Sequence, residues 1–465
     1  MNKGYGGKTV KPNIILICID DLGWRDLGCY GSTFYETPNL DKLASESVVF
    51  SNAYATSPVC SPSRASILTG KYPVRIGITN YIGAQEERGK VIGATNGDYL
   101  SLSECSLAKA LKEGGYNTYH VGKWHLGSED YWPLHHGFDI NIGGCDYGRP
   151  VHGYFSPYYI PTLPDGPEGE YLTDRLTDEA IKLIKDNKDN PFFLNLWHYT
   201  VHTPLQAKQE DIDYFTRKRK VLNLDEQEEF IECGYYPVDH MKHLVLKKRI
   251  IQGDPIYAAM IYNLDWNIGR LIDALKETGQ YDNTLIIFTS DNGGLVSEKV
   301  CPTSNMPLRD GKGWMYEGGL RVPLFFKLPK PNGNLKMCHT PVILTDLYPT
   351  ILEVAALPLR PHQHCDGVSI VPLFTDIPIE RDALFFHYPH YGNQGGTPFS
   401  AIRVNNYKLI HFYEDNHQEL YNLAKDISEN DNIINKEVII AKDLANRLNE
   451  WIKETKAQIP HPLQP

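Results

Sequence analysis

The sequence is short of positive charge: 46 Lys and Arg stand against 57 Asp and Glu, a formal net charge of -11. A nucleic-acid partner needs clustered cations, so none is expected. A small anionic substrate stays compatible, because a few cations in one pocket outweigh distant charge at short range. Paired cysteines are missing too. Nine are present, an odd number without metal-ligand spacing. At least one is therefore free, no disulfide framework is expected, and a reducing compartment is favoured. Long apolar runs are also lacking: "IILICI" (14–19) is far too short for a membrane span and runs into two carboxylates. "MNKGYGGKTVKPN" lacks the apolar core and cleavage site of a secretory leader. As it stands the chain reads as cytoplasmic, with no membrane span, and as exported if a leader has been trimmed. There are no repeats and no low-complexity tracts.

What is there is a hydrophobic fraction of 42%, enough for a sizeable core, in a chain of 465 residues. "NIILICID" (13–20), "YNTYHVG" (116–122), "PFFLNLWHY" (191–199), "NTLIIFTSD" (283–291) and "VPLFFKLP" (322–329) are short apolar runs that suit strands buried on both faces. Helical stretches lie between them at 37–47, 101–114, 173–187, 254–279 and 344–356. The alternation predicts an α/β fold, a large and mostly parallel sheet sandwiched by helices. Residues 205–253 break the rhythm with a charged stretch and read as a surface insertion, either a lid or a solvated excursion without a role. From 371 the texture changes to short strands and one helical stretch. This predicts a C-terminal α+β subdomain (371–465) of antiparallel sheet plus helix, after a larger α/β domain spanning 1–370.

The polar residues that interrupt this pattern gather just past strand ends. Asp20 and Asp21 close the first run; two adjacent carboxylates repel unless a cation sits between them, although Asp is also common in caps and turns. "FTSDNGG" adds Asp291 and Asn292, which serve equally well as turn residues. As oxygen ligands the four fit calcium or magnesium better than zinc. Lys123 and His125 in "HVGKWHLG" flank Trp124 and point one way in an extended chain, which suits an oxyanion. His198 and His202 in "WHYTVHTP" follow the third run, and Lys312 sits between two glycines that permit close approach of a ligand. Each histidine alone is as readily packing as chemistry, and the lysine alone a surface residue. In "ATSPVCSPSRASILTG", Pro62 to Thr69 read as a short helix ending at Gly70. That puts Cys60 at or near its N-cap, within reach of Arg64; a buried structural cysteine is the plain alternative. Ligands of open α/β sheets bind at the carboxyl ends of strands, and every one of these segments lies there or opens a helix.

With these residues gathered, the chain resembles a type I, formylglycine-dependent sulfatase of the alkaline phosphatase superfamily. "CSPSRASILTG" matches the family's C-x-P-x-R signature at Cys60, Pro62 and Arg64, and "GKWH", "HTP", "SDNGG" and "GKG" agree with it. The likeness runs from "PNIILICIDDLG" to "QELYNL". It implies a sulfuric ester hydrolase of arylsulfatase type, with an alkaline phosphatase-like fold. Cys60 would be converted to Cα-formylglycine by a formylglycine-generating or anaerobic sulfatase-maturing enzyme, which calls for an exposed position. Asp20, Asp21, Asp291, Asn292 and the modified residue 60 would ligate calcium, or magnesium in its place. The hydrated formylglycine would be the nucleophile, with Asp291 helping to deprotonate it and Arg64 holding it. Lys123 and Lys312 would grip sulfate, His202 would protonate the leaving alkoxide, and His125 would assist release of sulfate. The resemblance makes a sulfated carbohydrate the expected substrate, and "CDYGRPVHGYFSPYY" offers Tyr147, Arg149 and His152 as sugar contacts or merely as a packed loop. His387 and His390 in the C-terminal sheet are further candidates without a place. The alternatives are a phosphonate or phosphate ester hydrolase of the same superfamily and an inactive protein that binds anionic glycans.

Overall fold

In the computed structural model, which describes residues 11–85, 88–187, 190–297, 300–329 and 337–463, all five apolar runs become strands of one sheet. Its strands are β1 (Asn13–Ile19), β2 (Val48–Tyr54), β3 (Asn117–Gly122), β4 (Ile140–Ile142), β5 (Phe192–His198), β6 (Thr284–Ser290), β7 (Arg321–Lys327), β8 (Met337–Cys338) and β9 (Val342–Ile343). Their spatial order is β8-β2-β7-β6-β1-β5-β3-β4, with β9 also on β2. β1 pairs parallel with β5 and β6, placing Leu16 opposite Asn195 and Ile287. β7 alone runs against its neighbours β2 and β6, so the sheet is mixed and mostly parallel.

Side-chain alternation along β1 divides the core in two. Ile15, Ile17 and Ile19 face the helices Pro38–Ser45, Leu172–Asp186 and Pro255–Glu277. Ile14, Leu16 and Cys18 face Cys60–Thr69, Leu107–Glu113 and Leu347–Val354. Being apolar on both faces, the central strands need a helical layer on each side, and this is the three-layer arrangement expected. The helix expected over 101–114 is shorter because Ser106 caps it, accepting the amide of Lys109.

The C-terminal strands β10 (Leu384–Tyr388), β11 (Phe399–Val404), β12 (Tyr407–Phe412) and β13 (Gln418–Asn422) form a separate antiparallel sheet in that order. The helix Val438–Glu454 covers it with Ala441, Leu444, Leu448 and Trp451. The two sheets are tied by charge. Lys408 on β12 donates to Glu317 (3.0 Å) and Glu429 (2.8 Å), with all three side chains fully buried. Glu317 opens the short helix that leads into β7 and also accepts Arg321 at 2.8 Å.

Residues 205–253 carry structure of their own. The helix Gln209–Val221 inserts Phe215 into the core beside Tyr257–Leu275. A hairpin of Phe230–Tyr235 and Val245–Arg249 follows. The turn between its strands is anchored by Tyr236 and Val238 against Val91 and Tyr391. Among the described residues no helix is long and apolar enough to cross a membrane.

Candidate active site

Parallel strands bring their carboxyl ends to one edge, and the chemistry collects there. β1 stops at Ile19, and Asp21 takes a left-handed backbone (φ 63°), so the two adjacent carboxylates are freed from strand alternation and share one site. Asp291 and Asn292 follow β6. The Asp21 amide donates to Asp291 Oδ1 (3.2 Å) and Asn292 Nδ2 donates to Asp21 Oδ1 (2.9 Å). The helix carrying the cysteine begins at Cys60 itself, two residues earlier than expected, with Val59 as N-cap and Gly70 (φ 68°) as left-handed C-cap. Cys60 is only 3% exposed, against the expectation of an exposed position; the whole helix is buried between the sheet and its neighbours.

Three cations are interleaved with three carboxylates. Arg64 donates from Nε to Asp291 Oδ2 at 2.8 Å, approaches Asp20 at 3.7 Å and lies over the Trp197 ring at 5.0 Å. Lys123 Nζ donates to Asp20 Oδ2 and Lys312 Nζ to Asp21 Oδ2, both at 2.7 Å. Burial works against the charge of Arg64 and of Lys312, but Asp291 and Asp20 outweigh it at Arg64 and Asp21 does so at Lys312, so both stay protonated well beyond their usual range. Asp20 is pushed up by burial with help from Asp291 and Asp21, while Asp21 is held down against burial by Lys312.

The two histidines are fixed in different directions. His125 places Nε2 2.9 Å from the Ile82 carbonyl, which makes that nitrogen the donor and turns a bare Nδ1 toward Cys60 Sγ at 3.4 Å. His202 donates from Nδ1 to the Thr203 carbonyl (2.8 Å) and receives Lys312 Nζ on Nε2 (3.0 Å). Burial lowers each to about 3, with Lys123 adding at His125 and Lys312 at His202, so the cluster by itself holds both neutral.

The hydrogen bonds of the donor set leave room for a metal. Asp20 Oδ1 and Asn292 Oδ1 are buried without a hydrogen-bond partner, a costly state unless a cation takes them. Ligand atoms of Asp20, Asp21 and His202 lie within 4.8 Å of one another. Mixed carboxylate and amide oxygens fit a hard divalent ion.

A cavity of about 550 Å³ opens above this cluster. Cys60, His125, His202 and Lys312 reach it, as do Tyr147 and Arg149. Lys123 and Arg64 do not line it; they sit beneath, fully buried on their carboxylates. His198 is also outside. It is the last residue of β5, buried with both ring nitrogens unpartnered, and burial lowers it to about 4. His152 is exposed and packs edge-on to Tyr159. From the C-terminal unit the reaching residues are Asn393 and Gln394 rather than the histidines. His387 bonds Ser400 and the Gln458 carbonyl, and His390 bonds Thr79. Tyr81, Ile82, Asn393 and Gln394 gave no signal beyond standing in loops rich in Gly and Asn; the last two follow a strand end, as the recognised residues do.

A mostly parallel sheet with one antiparallel strand, a cluster of cations and carboxylates at its carboxyl edge and a cysteine opening a helix there define an alkaline phosphatase-like hydrolase. Within that class the chain belongs to the sulfatase family and is a sulfuric ester hydrolase: the sulfatase family model matches residues 12–357. A second model, the C-terminal part of N-sulphoglucosamine sulphohydrolase, matches 310–458. Among relatives, a sulfatase of Formosa agariphila is 31% identical, covering 96% of this chain and 90% of that protein. Human N-acetylgalactosamine-6-sulfatase is 32% identical over 83% of this chain and 70% of its own. The crystal structure of Ps i-CgsB with k-i-k-neocarrahexaose superposes with a TM-score of 0.76 at 32% identity, covering 95% of this chain and 92% of that one. A phosphonate monoester hydrolase of Agrobacterium radiobacter shares the fold (TM-score 0.66, 21% identity).

Proposed function

We propose that this sulfatase hydrolyses O-sulfate esters on carbohydrates, using formylglycine made from Cys60 by a maturing enzyme and a divalent ion, calcium or else magnesium, held by Asp20, Asp21, Asp291, Asn292 and residue 60. The observation that carries the reading is Cys60 at the cavity floor, between the bare Nδ1 of His125 and a carboxylate cluster with two unpartnered oxygens. In that setting formylglycine supplies a hydrated nucleophile for sulfur, and the divalent ion supplies positive charge beside it.

The remaining work falls to side chains. Lys312 reaches the cavity and is placed to hold a sulfate oxygen, while Lys123 and Arg64 stabilise charge from below. Arg64 fixes Asp291, the group nearest in role to a base for the nucleophile. His125 is neutral with its lone pair aimed at position 60, as a base assisting sulfate release needs. His202 has the opposite task. A sugar alkoxide leaves poorly without a proton, and an anionic ester seated against His202 and Lys312 favours the protonated imidazole. Carbohydrate as substrate is supported by the relatives named for N-acetylgalactosamine 6-sulfate and by the neocarrahexaose complex, and locally by Tyr81, Tyr147 and Arg149 on the cavity wall.

Peptide mass spectrometry across Ser57–Lys71, on protein made with a maturing enzyme, is the direct test. An aldehyde in place of the thiol at 60, and loss of turnover in Cys60→Ala with an unchanged melting curve, are expected. An unmodified thiol, with a control sulfatase processed in the same cells, or near-normal activity of Cys60→Ala, would reject the nucleophile.

A further inference from the structure

The catalytic cavity does not end at its own rim. A second cavity, about 850 Å³, continues toward the insertion, where His240 and His243 form its far wall. Tyr81, Arg149, Thr203 and Asn393 belong to both spaces, so Arg149 stands at the junction. Asn393 Nδ2 donates to the Tyr81 hydroxyl at 3.0 Å and braces the passage.

The described lining of the outer cavity is short of negative charge. Among the described residues that line this space none is acidic, and Asp146 lines the inner cavity only. The charged or chargeable side chains among those described residues are Arg149, His240 and His243. Arg149 is also uncommitted. Arg64, Arg219, Arg249 and Arg321 are each held by a carboxylate, whereas Arg149 is exposed and joins no ion pair or side-chain hydrogen bond among the described residues. A planar guanidinium left open on a concave wall is suited to a bidentate anion. The facing loop is held in place, since Tyr236 and Val238 pin it against Val91 and Tyr391.

We propose that this outer cavity is a second anion-recognising subsite. It takes the saccharide unit next to the one losing its sulfate, and Arg149, with His243 from the insertion, binds a carboxylate or second sulfate on that unit. The inference rests on the carbohydrate sulfatase reading above and makes the substrate a polyanionic oligosaccharide rather than a lone sulfated sugar.

The test uses full-length enzyme carrying formylglycine, with 4-nitrophenyl sulfate, sulfated monosaccharides, a neocarratetraose whose anions are all sulfate, and a chondroitin sulfate tetrasaccharide with carboxylates between its sulfates. Wild type is expected to prefer a tetrasaccharide over its monosaccharide in kcat/KM. Arg149→Gln should cut that preference roughly tenfold, chiefly through KM, as loss of a charge-assisted hydrogen bond does. His243→Ala should cut it less, and Arg149→Lys should retain part. Preference for the carrageenan or the chondroitin fragment assigns the anion as sulfate or carboxylate. Equal losses on mono- and tetrasaccharide, no loss on either, or a wild type without preference would each overturn the subsite. Processed wild type that cleaves the aryl ester but no sugar sulfate would instead overturn the carbohydrate reading, and the subsite with it.

Discussion

His202 is gripped from three sides: by the Thr203 carbonyl, by Lys312 and, at 3.5 Å, by Asp21. If its proton goes to the leaving oxygen, its value depends on how much that oxygen needs one. His202→Ala should lower kcat/KM for sugar or alkyl sulfates by roughly 10²- to 10³-fold and for 4-nitrophenyl sulfate far less; an equal loss on both would remove it from that role. The unpartnered Asp20 Oδ1 and Asn292 Oδ1 carry another expectation. A chelator should lower the melting temperature as well as activity, calcium should restore both, and Asn292→Ala should blunt the calcium shift, because a ligand that binds only the folded state stabilises it. At this scale the sequence was informative where a polar residue ends a buried apolar run, as with Asp20, Asp291 and Lys123. The same cue misled at His198, whose strand position turns it away from the cavity. Asn393 and Gln394 could not be placed, since only the packing of a second sheet brings them to the site.

Among the elements, the helix Pro38–Ser45 shows one part of the chain capping another. Its own N-cap, Thr37, makes no side-chain cap bond. Asp265, from the helix Pro255–Glu277, accepts the amides of Asn39 (3.1 Å) and Leu40 (2.7 Å) instead. Burial raises Asp265 to about 6 despite those bonds. The folded state therefore keeps a proton there that the unfolded chain, titrating at about 4, has released. This group's contribution to stability is greatest below about pH 4, falls as pH rises to about 6, and is flat beyond. Melting curves between pH 4 and 7 should show wild type losing ground to Asp265→Asn over that window, and parallel profiles would refute the assignment. Element reading succeeded for the five runs that are apolar on both faces. It missed β2, where "VVFSNAY" interrupts its apolar pattern with Ser and Asn, and β4, three half-buried residues with no room for a pattern.

At the scale of the whole molecule, the site depends on the second sheet. Lys408 holds two buried carboxylates, and one of them, Glu317, follows the loop that carries Lys312. Lys408→Met would leave Glu317 and Glu429 facing each other without their shared cation, at a cost of about 3–5 kcal/mol, and activity should fall with stability. Adding Glu429→Gln to Lys408→Met, so that Glu317 keeps Arg321 as its counter-ion, should recover much of the melting temperature; continued instability would mean that packing rather than charge joins the sheets. The architecture was legible because alternating strands and helices leave few arrangements, whereas this joint was not, since nothing local marks Lys408 as buried.

The burial of Cys60 sets an order of events. The residue is nearly sealed, and the helix that follows it is buried along its whole length. A modifying enzyme would need to take hold of the chain beside the sulfur, and the docked helix leaves it no grip there. On the formylglycine reading proposed above, conversion would therefore belong to the interval between synthesis and closure. On that reading a molecule that folds first would be finished with a thiol, and its fate as an inactive protein would be decided by a race rather than by an equilibrium.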